Sequence, residues 1–460
     1  MSTRLYARHA LLPGGWADKV ALTIDDATGT ISSVSPGGTA EGAETVHGPL
    51  VPGMSNVHSH AFQRGLAGRT GRSAHDRSDT FWTWRDVVYD FLDRIDADAL
   101  EAVTAQAFVE MAKAGYTNVA EFHYVHHDCS GRPFADPAEN AWRVVSAAAR
   151  CGIGLTLLPV FYAHGGFGGA APTQRQRRLI HDTDSFVRMF QSLARARDEH
   201  GYVLGVAPHS LRAVTPDELD AVLRVALPGA PVHIHVAEQT REVDDCYAWS
   251  RMRPVEWLLA NQAVDQRWCM VHATHMTERE VQGLARSHAV AGLAPTTEAD
   301  LGDGIFPAEA FVVNGGRYGI GSDSNTVIDP FVELRQLEWS QRLRFRRRNV
   351  LAGESDHTVG HALWHAALAG GAQGVGRRTG AIAAGARADL VVLDPDDLAL
   401  AEQPVEYVLD AAIFGPARRP VRDVMSGGRW IVREGRHAQE DEVFRRYRAV
   451  LSSIGYNGAG

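Results

Sequence analysis

Short apolar runs alternate with longer amphipathic stretches through the middle of the chain. This pattern is typical of repeated strand–helix units around a parallel sheet. The apolar runs predict eight strands: Leu50–His60, Thr117–Val125, Ile153–Ala163, Val203–Leu211, Val232–Glu238, Trp268–Thr274, Ala289–Thr296 and Tyr318–Asp323. The amphipathic stretches predict helices at Ala97–Gly115, Pro137–Cys151, Asp182–Gly201, Thr215–Leu227, Arg241–Ala260 and Thr277–Ser287. Eight such units favour a closed (β/α)8 barrel of the TIM type.

The two ends of the chain have a different pattern. Residues 1–48 and 380–460 hold short β-like pieces broken by Gly, Pro and Asp. Within the second segment, Gly380–Asp394 is a turn followed by a strongly β-prone run, and we expect Val20–Ile24 to pair with it. The predicted fold class is therefore α/β, with a catalytic barrel over residues 49–379 and a small β-sandwich domain built from both termini.

Composition and charge exclude several classes of protein. The chain has 460 residues, 45% of them hydrophobic, and a net charge of -9, values that suit a globular enzyme. It has no Lys/Arg block with interleaved aromatics, so we expect no nucleic-acid partner, and the basic run Arg342–Arg348 is expected to form a solvated helix face. No apolar run reaches about eighteen residues, so we expect no membrane partner and a cytoplasmic location. The four scattered cysteines argue against a disulfide framework.

Polar residues stand at the carboxyl ends of the predicted strands, where a barrel carries its chemistry. His58 and His60 are two residues apart at the end of one strand, so both imidazoles project from the same face and can meet one ion. His235 ends another strand, with Glu238 three residues later, and Asp323 ends the last strand. Three strands therefore offer candidate metal ligands.

These residues lie in segments that resemble the deaminase branch of the amidohydrolase superfamily. The segments are Asn56–Arg64, His235–Glu238, Val271–Thr274 and Gly321–Ser324, and Gly385–Leu393 resembles the C-terminal β domain of that superfamily. The resemblance spans essentially the whole chain. It implies one metal ion held by His58, His60, His235 and Asp323.

The end of the fourth predicted strand bears on the number of metal ions. Some members of the superfamily bridge two metals there with a carboxylated lysine, whereas this chain has Val206–His209. Its two lysines, Lys19 and Lys113, lie in a terminal β segment and in a predicted helix. We therefore expect a mononuclear centre with one Zn²⁺ per subunit, although iron or manganese also suits these ligands.

The resemblance also assigns the proton chemistry. Glu238 is the implied proton shuttle between water and the departing nitrogen, a task that needs a carboxyl placed just beyond the strand. His272, at the end of the sixth strand, is implied to act electrostatically or as a proton relay. Asp323 is implied to serve as a second base.

Two arginines indicate the class of substrate. Arg85 lies in the Trp-rich insertion after the first strand, and Arg212 follows the fourth strand. Guanidinium groups bind carboxylates through paired, charge-assisted hydrogen bonds, so the pair favours a small anionic substrate derived from an amino acid. Two structural alternatives remain open: Arg85 holds the insertion together, or Arg212 pairs with Asp217 or Glu218.

The same segments closely resemble the formimidoylglutamate deiminase family of histidine degradation. This resemblance implies a homodimer that converts N-formimino-L-glutamate to N-formyl-L-glutamate and ammonia. The implied substrate contacts are Gln63, Arg85, Tyr124, His209, Arg212 and Ser324. A deaminase of a heterocycle such as guanine or adenosine, and a non-catalytic binding barrel, remain as alternatives. The missing lysine argues against a ring-opening amidase.

Overall fold

The computed structural model describes residues 1–71, 79–353 and 358–455. Its strands, in chain order, are β1 (Ser2–Leu12), β2 (Gly15–Asp25), β3 (Thr30–Ser35), β4 (Glu44–Thr45), β5 (Leu50–Pro52), β6 (Met54–Ser59), β7 (Tyr116–His123), β8 (Gly154–Phe161), β9 (Val203–Leu204), β10 (Ala207–Pro208), β11 (Val232–Val236), β12 (Trp268–His272), β13 (Val290–Leu293), β14 (Arg317–Ile320), β15 (Leu390–Leu393), β16 (Val421–Ser426), β17 (Arg429–Arg433) and β18 (Arg436–His437).

Helices alternate with strands through the middle of the chain. They are α1 (Phe81–Leu92), α2 (Ala97–Ala114), α3 (Glu139–Cys151), α4 (Thr183–His200), α5 (Pro216–Val225), α6 (Thr240–Ser250), α7 (Pro254–Asn261), α8 (Glu278–Arg286), α9 (Pro295–Leu301), α10 (Ala308–Val313), α11 (Pro330–Phe345), α12 (Val359–Gly374), α13 (Val408–Phe414) and α14 (Glu440–Ser453). Short 3-10 turns cover Ala61–Leu66, Gln174–Gln176 and Val405–Tyr407. Among the described residues, no helix has the length and hydropathy needed to cross a membrane.

Two parallel sheets form the barrel. In one sheet β6, β7 and β8 are neighbours, and both β9 and β10 pair with β8; the other has the order β11-β12-β13-β14. Parallel bridges join the sheets at both seams, between Ser59 and Asp323 and between Val206 and Val232. The eight strand positions thus follow one another around a ring, as the sequence predicts.

Two predicted barrel strands are interrupted at glycines. The run predicted as Leu50–His60 divides at Gly53, so that β5 pairs with β15 and β1 while β6 enters the barrel. A side chain at Gly53 would collide with Thr117 on β7. The predicted fourth strand divides at Gly205 into β9 and β10. Both interruptions arise from close approaches between segments distant in sequence.

Two other predictions are wrong, one at the end of a strand and one in the middle of a helix. The strand predicted over Ala289–Thr296 ends at Leu293, and Pro295 opens α9, because proline is well suited to the first helical position. The helix predicted over Arg241–Ala260 is two helices, α6 and α7. The break follows from a left-handed Arg251 (φ 63°) and from Pro254, which begins α7.

Strands from both ends of the chain form one nine-stranded sheet. Its order is β18-β17-β16-β15-β5-β1-β2-β3, and β4 pairs with β1. The termini meet where Val51 on β5 lies opposite Val391 on β15. The pairing expected between Val20–Ile24 and the β-prone run is wrong, because β5 and β1 lie between β2 and β15. The boundaries of the small domain stay predictions.

Candidate active site

The carboxyl ends of the barrel strands carry unusual backbone conformations. Ala237, His272 and Asp323 have φ values of 51°, 68° and 40°, in the left-handed region that side chains seldom adopt. They lie just after β11, at the end of β12 and just after β14. Such conformations cost about 1–3 kcal/mol each and concentrate at functional sites, where neighbouring contacts maintain them.

All four predicted metal ligands converge at this end of the barrel. His58, His60 and His235 are buried, and one nitrogen of each lies within 4.8 Å of the others. His235 Nε2 is 3.1 Å from His58 Nε2. Asp323 Oδ1 is 3.4 Å from the Nε2 atoms of both His58 and His60. The structure thus groups three imidazoles and one carboxylate.

Backbone carbonyls orient two of the imidazoles. His60 Nδ1 is 3.0 Å from the carbonyl oxygen of Phe122, and His235 Nδ1 is 3.0 Å from that of His209. Because a carbonyl only accepts, each Nδ1 must donate, which leaves the Nε2 lone pair facing the other ligands. Metal-binding histidines in proteins are commonly held in this way.

The electrostatics of the group suit a cation. Burial lowers the pKa of His58, His60 and His235, that of His60 to about 3, so the imidazoles are neutral and able to ligate. Burial favours a protonated Asp323, but the contact with His58 and the positive charge of His272 outweigh it and lower the pKa of Asp323. Three neutral nitrogens and one anionic oxygen fit a divalent ion such as zinc.

Glu238 lies next to the ligand group. Its Oε1 is 3.8 Å from His272 Nε2, and its Oε2 is 3.8 Å from Arg212 Nη2. Burial raises the pKa of Glu238 to about 7, against the opposing charges of His272 and Arg212. A carboxyl with such a pKa can take up and release a proton near neutral pH.

His272 is held between acidic groups. Its Nδ1 is 3.3 Å from Glu298 Oε1, and its Nε2 is 3.8 Å from Asp323 Oδ2. Burial lowers the pKa of His272, but Glu238, Glu298 and Asp323 outweigh that effect and raise it to about 10. Sequence reasoning assigns no role to Glu298, which lies two residues beyond the predicted strand Ala289–Thr296.

A pocket opens directly above the ligand group. Its wall includes His60, His235, Glu238, His272 and Asp323. Five of the six predicted substrate residues also line it, and they are Gln63, Arg85, Tyr124, His209 and Arg212. Aromatic side chains complete the wall, among them Phe81, Trp84, Tyr89 and Tyr162.

The two arginines present buried donors in this pocket. Nε of Arg85 and Nε of Arg212 are both buried and have no hydrogen-bond acceptor among the described residues. Arg85 also stacks on Trp82, and its Cζ lies 4.6 Å from the ring centroid. Arg85 therefore packs within the Trp-rich insertion, in line with the alternative that it holds this insertion together. Arg212 lies 3.8 Å from Glu238 and 4.0 Å from Glu242. Unpaired buried donors are costly unless a ligand accepts from them.

The alternative in which Arg212 pairs with Asp217 or Glu218 is not observed among the residues that the structure describes. Glu218, one of the two acids proposed as its partner, instead lies 2.9 Å from His164. The ion-pair partners that the structure gives Arg212 are Glu238 and Glu242. Sequence reasoning missed Glu242, since its position in the first turn of a helix looks like that of a solvated acid.

The remaining predicted substrate residues differ in placement. Gln63 Nε2 donates to the Tyr124 hydroxyl over 2.9 Å, which leaves Gln63 Oε1 buried without a partner among the described residues. The His209 ring lies 4.4 Å from the Tyr162 ring. Ser324 is buried outside the pocket lining, with its Oγ 2.9 Å from Thr297 Oγ1. The substrate roles of these residues stay predictions.

Comparison with known proteins agrees with this geometry. The model of the amidohydrolase family matches residues 50–431, and the model described as "Formimidoylglutamate deiminase HutF, N-terminal domain" matches residues 2–48. The chain is 50% identical to formimidoylglutamate deiminase of Pseudomonas aeruginosa, over 98% of this chain and 99% of that protein. This chain belongs to the formimidoylglutamate deiminases of the amidohydrolase family.

Solved structures agree with that family and with the fold. A crystal structure of an amidohydrolase from Brucella melitensis is 48% identical, with a TM-score of 0.93 and coverage of 98% of this chain and 99% of that chain. An adenosine deaminase from Xanthomonas campestris with bound zinc is 23% identical, with a TM-score of 0.81 and 98% of each chain covered. The second likeness shows the shared fold alone.

Proposed function

We propose that this deiminase hydrolyses N-formimino-L-glutamate to N-formyl-L-glutamate and ammonia in histidine degradation. In this reaction the oxygen of water adds to the amidine carbon, and the bond from that carbon to the terminal nitrogen breaks. The observation that carries the proposal is the pair of buried arginine donors in the same pocket as Glu238 and the ligand group. The relative that is 50% identical supports the same substrate.

The charges of the pocket complement those of this substrate. N-formimino-L-glutamate carries two carboxylates and an amidine that is positively charged at neutral pH. Arg85 and Arg212 supply the two guanidinium groups that bind carboxylates well. Glu238, beside the ligand group, supplies negative charge where the amidine would lie. A neutral heterocycle would leave both guanidinium groups without a carboxylate.

We propose that the metal is one zinc ion per subunit, held by His58, His60, His235 and Asp323. The orientation of the Nε2 atoms, the neutral imidazoles and the single carboxylate support this choice, and iron or manganese would suit the same donors. A bound zinc ion lowers the pKa of water towards 7 and polarises the carbon under attack.

We assign the proton transfers to the chain's own residues. Glu238 accepts a proton from water and delivers it to the departing nitrogen, for which its pKa of about 7 is well matched. His272, 3.8 Å from both Glu238 and Asp323, stabilises their negative charges, and Asp323 acts as the second base. The arginines hold the substrate so that the amidine faces Glu238.

Product analysis tests this proposal. Hydrolysis in water enriched in ¹⁸O should place one ¹⁸O atom in the formyl group of N-formyl-L-glutamate and release one ammonia per substrate consumed. Release of formamide with free L-glutamate would mean that the other C–N bond breaks, and the proposed reaction would then be wrong.

We also propose a homodimer in the cytoplasm, which the resemblance to the family supports. The domain boundaries at residues 49 and 380 stay proposals. The junction between the two family models, at residues 48 and 50, supports the first of these boundaries.

A further inference from the structure

Glu242 lies in the first turn of α6 with its side chain almost fully buried, at 1% exposure. Its Oε1 accepts the backbone N–H of Ala237 and its Oε2 accepts that of Glu238, each over 3.2 Å. The same Oε2 lies 4.0 Å from Arg212 Nη2. One carboxylate therefore contacts the backbone of the proton shuttle and the guanidinium of a predicted substrate residue.

The turn at residues 237–239, which Glu242 contacts, leads into α6 through an unusual backbone conformation. Ala237 is in the left-handed region, and Gln239, which precedes α6, makes no capping hydrogen bond with its side chain. The carboxylate of Glu242 instead accepts two backbone N–H groups that come just before the helix, and the positive end of the helix dipole favours a negative charge there. The position of Glu238 in the pocket depends on this turn.

The other contact concerns Arg212. A buried carboxylate is costly without compensation, and the Arg212 guanidinium lies 4.0 Å from Glu242. Arg212 Nη2 also lies 3.8 Å from Glu238, so the three side chains form one buried network. A change in the Glu242 charge must then alter both the placement of the guanidinium and the field at Glu238.

We propose that Glu242 is a positioning residue that couples substrate capture by Arg212 to the placement of Glu238. The inference rests on the proposed function, because it takes Arg212 to bind a substrate carboxylate. The network is in place before substrate arrives. A substrate without the carboxylate that binds Arg212 would therefore be hydrolysed with little benefit from this network.

A double-mutant cycle tests the coupling. Glu242→Gln keeps the size of the side chain but removes its charge and one acceptor, and we expect kcat/KM for N-formimino-L-glutamate to fall by roughly 10- to 100-fold. In an Arg212→Met background the same change should lower kcat/KM by a clearly smaller factor, since residues in one network are non-additive and only the backbone contacts of Glu242 remain to be lost. Equal factors in the two backgrounds, or no loss in either, would overturn the proposal.

Glu280 provides a matched control. It is also a buried carboxylate in the first turn of a helix, accepts the backbone N–H of Thr277 and pairs with Arg253 over 2.8 Å. Glu280→Gln should lower the melting temperature without lowering kcat/KM. A loss of kcat/KM in both Gln variants would indicate general destabilisation and would overturn the specific role of Glu242.

Three further measurements distinguish failure of the coupling from failure of the proposed function. Wild-type protein that fails to hydrolyse N-formimino-L-glutamate refutes the proposed function, whereas active wild-type protein with an unaffected Glu242→Gln variant refutes the coupling alone. If Glu242→Gln does not fold, Glu242→Asp enters the same cycle, with the same non-additivity expected. Calorimetric binding of N-formyl-L-glutamate should weaken in the variant, a readout that does not require turnover.

Discussion

At the scale of single residues, Glu238 carries the most specific prediction. Glu238→Gln keeps the shape of the side chain but removes the group that accepts a proton, so we expect kcat to fall by about 10²- to 10⁴-fold while zinc content is unchanged. Ammonia release and metal analysis of the same preparation check this result. Substantial residual turnover would show that another group moves the proton.

Arg85 and Arg212 are expected to contribute mainly to substrate binding. Arg85→Ala or Arg212→Ala removes a charged hydrogen bond worth roughly 1.5–3 kcal/mol, so KM should rise by about 10- to 150-fold with zinc retained. Steady-state kinetics measure the change. Arg175→Ala is a control, because that arginine is half exposed and pairs with Asp90 on α1, and its KM should stay near the wild-type value. If Arg85→Ala or Arg212→Ala has the kinetics of the wild type, the replaced arginine has a structural role only.

Sequence reasoning at this scale found the residues with characteristic spacing. His58 with His60, His235 with Glu238, and Asp323 all stand at predicted strand ends, and the family resemblance assigned their roles. Sequence reasoning missed the two acids that contact Glu238 and His272. Glu242 and Glu298 lie in first turns of helices, where an acid is usually solvated, and their burial depends on contacts that no local pattern shows.

At the scale of elements, the short helix α9 is the main departure from prediction. Its first turn places Glu298 where Oε1 accepts the backbone N–H of Ala294 over 3.0 Å and contacts His272. A strand over the same residues would alternate their side chains and could not direct Glu298 in this way.

The function of α9 can be measured. Glu298→Gln leaves the helix intact but weakens the contact that orients His272, so we expect kcat to fall by roughly tenfold with little change in KM. Steady-state kinetics at a single pH are sufficient. A kcat equal to that of the wild type would limit Glu298 to holding the backbone at Ala294.

The other elements differ from prediction mainly where distant segments meet. Hydrophobic periodicity located the barrel strands and the helices from α2 to α8, with α6 and α7 predicted as one. It could not show that Leu50–Pro52 pairs with β15, which lies more than 300 residues later, or that Gly205 interrupts the fourth strand. Such breaks follow from tertiary packing rather than from local propensity.

At the scale of the whole molecule, buried histidines link stability to pH. His123 and His181 belong to a buried cluster with His126, and burial lowers the pKa of both to about 3. In the unfolded chain these residues bind protons below about pH 6.5. The unfolded state therefore binds more protons between about pH 6.5 and 3, and stability falls as the pH falls through that range.

Removing one of these histidines should weaken the pH dependence. In His123→Phe the difference in unfolding free energy between pH 7.5 and 5 should be smaller than in the wild type by roughly 2 kcal/mol, an order-of-magnitude value for one group. Urea denaturation at both pH values measures it. An identical pH dependence in the two proteins would mean that His123 is protonated in the folded state.

The central claim joins the metal ligands, Glu238 and the two arginines into one deiminase site. Its most direct test is ammonia release by zinc-loaded protein from N-formimino-L-glutamate, beside guanine, adenosine and N-formiminoglycine at equal concentration. We predict strong release from the glutamate derivative and little from the other three, because the derivative alone offers two carboxylates to Arg85 and Arg212. Release from a heterocycle, with none from N-formimino-L-glutamate, would contradict the account.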